Sequence, residues 1–148
     1  MIAASVDIDA PKERVWAIVR DTARYPEWSP FLVAVEGDVR VGSPVALVVR
    51  MSMDAAQRPT RQTERVTRDG DGGPDAPSEL GWGIDGLLLT TERVQRVVSI
   101  GPGRSRYETT DAFSGVLVPV VLGLYGKRIQ AGFDATARAL KERAERGG

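Results

Sequence analysis

The segment RSRYETTDAF, residues 104–113, carries the side chains with the clearest potential for chemistry in this sequence. As a β-strand it places Tyr107, Thr109, Asp111 and Phe113 on one face, because successive side chains point to opposite faces of a strand. The two aromatic rings predict that this face points inward. Burial raises the pKa of a carboxyl group, so an inward Asp111 could exchange a proton while the Tyr107 phenol binds a carbonyl oxygen.

The segment TTERVQRVVSI, residues 90–100, is predicted to form the strand that precedes it, joined through the turn GPGR at 101–104. Val94, Val98 and Ile100 favour the even-numbered face as the inward one. Glu92 and Arg96 share that face. They are therefore candidates for catalysis, and Val94 for ligand contact.

The register expected for this hairpin sets Ile100 opposite Ser105, which brings Arg96 diagonal to both Tyr107 and Asp111. In that arrangement Arg96 would stabilise an enolate or bind a carboxylate, Asp111 or Glu92 would exchange the proton, and Tyr107 would donate a hydrogen bond to a carbonyl. The alternative is structural: Arg96 and Asp111 form an ion pair, or extend to water at the rim of the sheet.

A third strand is predicted in RQTERVTRD, residues 61–69, where the face of Val66 also carries Gln62 and Glu64. Glu64 is thus a further inward acid. Four aromatic residues are candidates for the walls of a binding pocket, because flat rings stack on flat ligands, although aromatic residues more often serve to pack a core. They are Tyr25, Trp28, Trp82 and Tyr125.

The composition removes whole classes of site. The chain has no Cys and no His, which excludes disulfides, thiolate nucleophiles, imidazole bases and zinc sites of the Cys/His type. The run DGDGGPD lacks the spacing of an EF-hand loop, and no glycine-rich segment has the context of a phosphate loop. We therefore expect neither a metal nor a cofactor.

The charge balance argues against nucleic acid as a partner. The 20 Lys and Arg residues equal the 20 Asp and Glu residues, so no broad basic field is available for phosphate backbones. No targeting signal is evident, and no run of about 18 apolar residues could span a membrane. We expect a cytoplasmic protein of one domain, residues 1–148, that does not insert into membranes.

The hydrophobic pattern changes period twice along the chain. Alternation over residues 2–8 predicts a strand, and DAPKERVWAIV, residues 9–19, predicts a short amphipathic helix that starts at Pro11. Six further strands are predicted in LVAVEGD, PVALVVRMSM, RQTERVTRD, ELGWGID, LTTERVQRVVSI and RSRYETTDAF. From Pro119 to Arg146 the spacing of apolar residues, Ile129 and Phe133 among them, predicts one long helix, which must cover the apolar face of an antiparallel sheet.

Three segments at these separations resemble one known family. They are APKERVWAIVRDTARYPEWSPF, the strand with ELGWG, and DAFSGVLVPV before the final helix. Together they resemble the START/Bet v 1-like superfamily, specifically its bacterial polyketide cyclase/dehydrase branch, over nearly the whole chain. The resemblance implies an α+β helix-grip fold, in which a seven-stranded antiparallel sheet curls around the long helix, two short helices follow the first strand, and an apolar cavity lies between sheet and helix.

The resemblance also implies a function. We expect a cofactor-free cyclase or aromatase that binds a hydrophobic, polyketide-derived molecule, with Arg96, Tyr107, Asp111 and Glu92 as catalytic residues. The alternative is a non-catalytic carrier of a lipid, quinone or aromatic metabolite. The ligand partner is a small molecule in either case, and the protein is expected to be a monomer or weak dimer. The predicted ligand contacts are Tyr25, Trp28, Glu64, Trp82, Val94, Thr109, Phe113, Tyr125 and Ile129.

Overall fold

The computed structural model describes residues 1–51 and 58–147. Its strands are β1 (Ile2–Ile8), β2 (Leu32–Glu36), β3 (Pro44–Val49), β4 (Thr60–Gly70), β5 (Ser78–Asp85), β6 (Thr90–Gly101) and β7 (Arg104–Ser114). Its helices are α1 (Lys12–Arg20), a short 3₁₀ helix (Thr22–Glu27) and the long α2 (Val118–Glu145). The predicted end of the third strand, Ser52 and Met53, lies outside the described residues.

The seven strands form one antiparallel sheet in the order β1-β7-β6-β5-β4-β3-β2. The sheet is curved, and α2 lies against it together with the short helices that follow β1. This arrangement confirms the predicted α+β helix-grip fold. No helix within residues 1–51 and 58–147 is long and apolar enough to cross a lipid bilayer.

The first strand and helix form as their periods predict. In β1 both Ile2 and Ile8 are buried, and in α1 the apolar face buries Val15, Trp16 and Val19. Pro11 occupies the N-cap position of α1, where its missing N–H removes no hydrogen bond from the helix. These side chains join the core that α2 shares with the sheet.

The two halves of α2 have different environments. In the C-terminal half, Phe133, Ala137, Leu140 and Ala144 are all at most 4 % exposed and belong to the core. In the N-terminal half, between Val118 and Arg128, every side chain is half-buried or exposed. The helix is therefore fixed to the sheet by one half, and the space between its other half and the sheet remains open.

The register of the β6–β7 hairpin differs from the expected one. Ser99, not Ile100, lies opposite Ser105, because a β-bulge between Ser99 and Gly101 adds one residue to β6. One extra residue exchanges the faces of the whole strand. The odd-numbered side chains of β6 consequently share the inner face with Tyr107 and Asp111, and the predicted even-numbered inner face is wrong.

Candidate functional site

A cavity lies between the sheet and the N-terminal half of α2. Its outer compartment has a volume of about 460 Å³ and its inner compartment about 70 Å³. Five residues line both compartments: Met51, Gln62, Glu64, Asp111 and Ile129. The two compartments thus form one continuous site that narrows toward the core.

Asp111 is one of two acids, with Glu64, that line both compartments. Its Oδ1 atom is buried and has no hydrogen-bond partner among the described residues. Burial raises the pKa of the Asp111 carboxyl to about 7, opposed by the positive charge of Arg93 and reinforced by the negative charge of Glu64. A carboxyl with such a pKa exchanges protons readily near neutral pH.

Arg93 is the register partner of Asp111 on the neighbouring strand. It is 7 % exposed and lines the inner compartment. Its Nε donates a hydrogen bond to Thr109 Oγ1 at 3.1 Å, and its guanidinium carbon lies 4.3 Å from the centre of the Phe133 ring. Its Nη2 is buried and, like Asp111 Oδ1, has no hydrogen-bond partner in the described part of the chain.

Glu64 supplies a second carboxyl to the same cavity, from β4. Burial raises its pKa, while the hydrogen bond that Gln62 Nε2 donates to Glu64 Oε2 at 2.6 Å lowers it. Gln62 and Glu64 both line the cavity, on the strand face that they share with the buried Val66. The inner compartment is therefore lined by two acids, Asp111 on β7 and Glu64 on β4, and by the guanidinium of Arg93 on β6.

The inner compartment ends on packed aromatic rings. Phe31 and Phe133 meet edge to face, with their ring centres 5.9 Å apart, and Trp82 lines the same compartment at 1 % exposure. The Arg93 guanidinium lies over the face of the Phe133 ring. A flat or alkyl group fits against these rings, while a polar group of the same ligand reaches Arg93 and Asp111.

Tyr107 belongs to a buried hydrogen-bond chain. Its hydroxyl donates to Gln95 Oε1 at 2.5 Å, Gln95 Nε2 donates to the Tyr25 hydroxyl at 3.1 Å, and that hydroxyl donates to the Val19 carbonyl at 2.6 Å. Burial raises the pKa of Tyr107. Neither tyrosine lines either compartment of the cavity. The hydroxyl groups of Tyr107 and Tyr25 thus belong to a hydrogen-bond chain that connects the sheet to α1.

Two of the predicted catalytic residues lie on the outer face of the sheet. Arg96 Nε donates to Glu79 Oε2 at 2.8 Å, and Arg68 Nε donates to Glu92 Oε2 at 3.1 Å. These ion pairs are partly exposed. The predicted inward positions of Arg96 and Glu92 are wrong because the β-bulge reverses the faces of β6. The alternative pairing of Arg96 with Asp111 is wrong for the same reason.

The predicted ligand contacts divide into two groups. Trp82, Glu64, Phe113, Tyr125 and Ile129 line the cavity. The other predicted contacts do not line the cavity. Tyr25 belongs to the buried hydrogen-bond chain with Gln95 and Tyr107. The Thr109 hydroxyl accepts a hydrogen bond from Arg93. Val94 is buried on the outer face, and Trp28 packs on Tyr25 at 5.2 Å and lines a surface depression with Arg143.

Arg93 is the functional candidate that the sequence interpretation missed. It is one of two arginines in TTERVQRVVSI, and because Arg93 and Arg96 are three residues apart they lie on opposite faces of the strand. The available signal was Val97, which is fully buried and shares the face of Arg93. The site has no metal-binding cluster, in that no group of three or more Asp or Glu side chains among the described residues is arranged to hold an ion.

The fold of this chain has many relatives among solved structures. A START superfamily protein from Mycobacterium smegmatis aligns over 98 % of this chain and 97 % of its own, with 18 % identity and a TM-score of 0.65. Norcoclaurine synthase from Thalictrum flavum, in complex with dopamine and hydroxybenzaldehyde, aligns over 99 % of this chain and 87 % of its own, with 15 % identity and a TM-score of 0.68.

A third similar structure is the di-domain ARO/CYC StfQ from the steffimycin biosynthetic pathway. It aligns over 99 % of this chain and 45 % of its own, with 10 % identity and a TM-score of 0.66. No curated protein matches this chain in sequence. At these identities the structures establish a shared fold, and function must be argued from the site.

The sequence itself matches a family model. The family is described as polyketide cyclase / dehydrase and lipid transport, and the match covers residues 2–145. The match spans the sheet, the cavity and α2 together. This chain is therefore a member of the polyketide cyclase/dehydrase and lipid transport family.

Proposed function

We propose that this protein binds a hydrophobic small molecule with neighbouring carbonyl groups and closes a ring in it by aldol chemistry. The observation that carries the proposal is the pair of buried polar atoms Asp111 Oδ1 and Arg93 Nη2, which have no partner among the described residues. A buried donor and a buried acceptor that are both unpaired each cost about 1–3 kcal/mol. A ligand that accepts from one and donates to the other recovers that free energy.

The reaction uses the two groups in complementary roles. The ionised Asp111 removes a proton from the carbon between two carbonyl groups, and Arg93 Nη2 donates a hydrogen bond to the enolate oxygen that forms. The enolate carbon attacks a second carbonyl of the same molecule, so that one carbon–carbon bond forms and one carbonyl bond becomes an alkoxide. The alkoxide takes the proton back from Asp111, which returns the enzyme to its starting state.

Dehydration of this aldol product requires an acid for the leaving hydroxyl. Glu64 is suited to that role because its pKa is raised by burial and it lines the cavity beside Asp111. Ionised Asp111 takes the remaining proton from the carbon between the carbonyls while Glu64 gives its proton to the leaving hydroxyl, so that water departs and a double bond conjugated with the remaining carbonyl forms. Transfer of the proton from Asp111 to Glu64, directly or through water, restores both groups. No external oxidant, reductant or cofactor enters the balance.

The outer compartment would hold the apolar remainder of the ligand. Ile84, Leu89, Phe113, Val121 and Ile129 line it, and its volume of about 460 Å³ lies within the usual range of small-molecule pockets. The same compartment would equally suit a lipid chain. A non-catalytic carrier is therefore the second candidate function, and it is distinguished by the absence of turnover.

The test uses a synthetic aromatic triketone that can close by an intramolecular aldol step. Product formation is followed by mass spectrometry, and binding by quenching of Trp82, which lines the inner compartment. We expect Asp111→Asn to lower turnover by about a hundredfold or more and to change affinity only a few-fold. The control is Arg96→Gln, which removes a guanidinium from the outer face of the neighbouring strand β6 and should leave both quantities unchanged.

Two outcomes would contradict the enzyme proposal. One is a stably folded Asp111→Asn variant that turns over at the wild-type rate. The other is quenching of Trp82 with no product from the wild type across triketones of different length, in which case the carrier function is the better account.

A further inference from the structure

Two arginines line the outer compartment of the cavity, one from the sheet and one from the long helix. Arg58 lies just before β4 and Arg128 lies on α2. Neither of them lines the inner compartment, where the guanidinium belongs to Arg93. Both side chains are exposed to solvent, although they belong to the lining of the cavity. They therefore mark the cavity mouth, the place where the outer compartment opens to solvent.

These two arginines have no partner, which sets them apart from most arginines of this chain. Arg106 is an ordinary example, because its Nε lies 2.7 Å from Asp7 Oδ1. Within residues 1–51 and 58–147, three arginine side chains make no hydrogen bond, ion pair or ring contact: Arg58, Arg128 and Arg138. One unpaired arginine on a surface is an ordinary solvated charge. Two of the three, however, face one compartment.

The acids that line the cavity do not neutralise the two arginines. Glu64 and Asp111 line the outer compartment, but among the described residues neither forms an ion pair with Arg58 or Arg128. Arg93 is instead the arginine whose positive charge lowers the pKa of both acids. The cavity thus has two separate cationic positions. One is Arg93 beside the acids, and the other is the unpaired pair of arginines at the cavity mouth.

The remainder of the outer compartment is mainly apolar. Phe113, Val121 and Ile129 are among the residues that line it. A ligand whose carbonyl groups reach Arg93 and Asp111 passes through this apolar compartment before it reaches the cavity mouth. The lining is therefore polar at the inner end, apolar along its length and cationic where it opens. Guanidinium groups bind carboxylates through paired N–H donors, in short and strong hydrogen bonds.

We propose that the ligand carries a carboxylate at the end remote from its reacting carbonyl groups, and that Arg58 and Arg128 bind this carboxylate at the cavity mouth. The inference rests on the proposed function, because it takes the cavity as the ligand site. A carboxylate is the anion of choice because a carbon chain assembled from acyl units ends in a carboxyl group. The substrate class is thus a keto acid with an apolar middle section.

The two arginines would also set the direction in which the ligand enters. With the carboxylate held at the cavity mouth, the ketone end is the part that reaches Asp111. In the opposite direction, the ligand carboxylate would lie beside the carboxyl groups of Asp111 and Glu64, where like charges repel. Arg58 and Arg128 are therefore specificity-determining residues, and the proton transfers belong to the groups at the inner end.

The test compares two probes that differ only in charge. One is an aryl ketone joined by an alkyl chain to a carboxylate, and the other is its methyl ester. Neither has a second ketone for the aldol step, so binding to the wild type is measured without turnover, by titration calorimetry. We expect the acid to bind about tenfold more tightly than the ester at low salt. Added salt should reduce this preference, since the arginines are exposed.

Three substitutions locate the preference at the cavity mouth. Arg58→Gln and Arg128→Gln should each lower the acid-to-ester affinity ratio about threefold, and the double variant should bring it close to one. The matched control is Arg138→Gln, which removes an exposed, unpaired arginine from α2 outside the cavity and should leave the ratio unchanged. All these positions are exposed, so the unfolding midpoint should stay at the wild-type value.

A reversal of charge gives a sharper result. Arg128→Glu should bind the acid more weakly than the wild type does. It should bind an analogue that ends in an ammonium group more tightly than the wild type does. Arg138→Glu is the control and should change neither affinity. Equal effects of the two reversals would indicate a response to net charge alone and overturn the proposal.

Two further results would overturn the proposal: equal affinity of the wild type for acid and ester, or an acid preference that survives in the double variant. Failure of this inference is distinguishable from failure of the proposed function. A wild type that prefers the acid but cyclises no triketone keeps the carboxylate subsite and rejects the enzyme. A wild type that cyclises triketones but binds acid and ester equally keeps the enzyme and rejects the subsite.

Discussion

Arg93 and Asp111 lie directly opposite each other on β6 and β7, yet no salt bridge joins them in the part of the chain that the structure describes. The guanidinium is oriented toward Thr109 and Phe133, and one nitrogen of Arg93 and one oxygen of Asp111 remain buried and unpaired. Native proteins pair almost all buried polar atoms. The proposed function accounts for these two exceptions on facing residues of one cavity, because a ligand would pair with both groups.

The first prediction concerns stability and pH. The folded-state pKa of Asp111, about 7, lies above its ordinary value of 3.8, so the folded state holds the proton over a range in which the unfolded state has lost it. Ionisation of Asp111 therefore lowers the free energy of unfolding as pH rises from about 4 to 7. Asp111→Asn removes this effect and should be more stable than wild type at about pH 8, by at most about 4 kcal/mol.

Urea denaturation at about pH 4.5 and pH 8 measures this difference. The gain of Asp111→Asn over wild type should be large at the higher pH and small at the lower one. Asp75→Asn, an exposed aspartate between β4 and β5, is the control and should show no such pH dependence. A gain that is the same at both pH values would contradict a raised pKa at Asp111.

The second prediction concerns the charges that surround Asp111. Arg93 lowers its pKa and Glu64 raises it, both against the larger effect of burial. Arg93→Met should therefore move the pKa of Asp111 further above 7, and Glu64→Gln should move it down. Carboxyl ¹³C shifts followed over a pH titration measure both changes. Shifts of the same sign in the two variants would show that one of these charges does not act on Asp111 as the structure indicates.

The sequence predicted the elements of the fold more closely than the details of the site. Strand parity correctly predicted that Asp111 and Phe113 lie on the inner face of β7, because this strand contains no bulge. The same rule failed in β6. The bulge at Ile100 adds a residue near the turn, and neither face of β6 is cleanly apolar, so the pattern of hydrophobic residues favoured the wrong face.

The inner face of β6 was assigned wrongly because it carries polar residues, one of which belongs to the proposed site. The inner face of β6 carries Arg93 and Gln95, both buried, and these are the polar residues that a rule based on hydrophobic burial assigns to solvent. The outer face buries Val94 and half-buries Val98, which made it appear to be the core side. Sites that bind polar groups break the pattern from which the fold is predicted.

The third prediction is that Tyr107 contributes to stability and not to turnover, in contrast to Asp111. Tyr107→Phe leaves Gln95 Oε1 without its donor, so the free energy of unfolding should fall by about 1–3 kcal/mol. Ligand affinity and turnover should stay near wild type, because Tyr107 lines neither compartment. Thermal unfolding and the triketone assay measure the two effects. A hundredfold loss of turnover in folded Tyr107→Phe would return this phenol to the catalytic role expected from the sequence.

The fourth prediction concerns the wall that closes the inner compartment. A Cβ atom at Gly132 would lie 2.1 Å from Cδ1 of Phe31, a ring that lines this compartment. Gly132→Ala must displace the ring, which should lower stability by about 1–3 kcal/mol and weaken ligand binding. Gly123→Ala, on the same helix with open space around it, should instead raise stability by about 0.5–1 kcal/mol.

A double variant decides whether the ring is the cause. Phe31→Leu shortens the side chain that Gly132→Ala contacts, so the combined variant should be more stable than the sum of the two single changes predicts. Chemical denaturation of the four proteins of this cycle gives the coupling free energy. If the two free-energy changes are strictly additive, the Phe31 ring is not what the new methyl group displaces. In that case α2 shifts away from the sheet at Gly132, and Phe31 does not move into the space where the ligand binds.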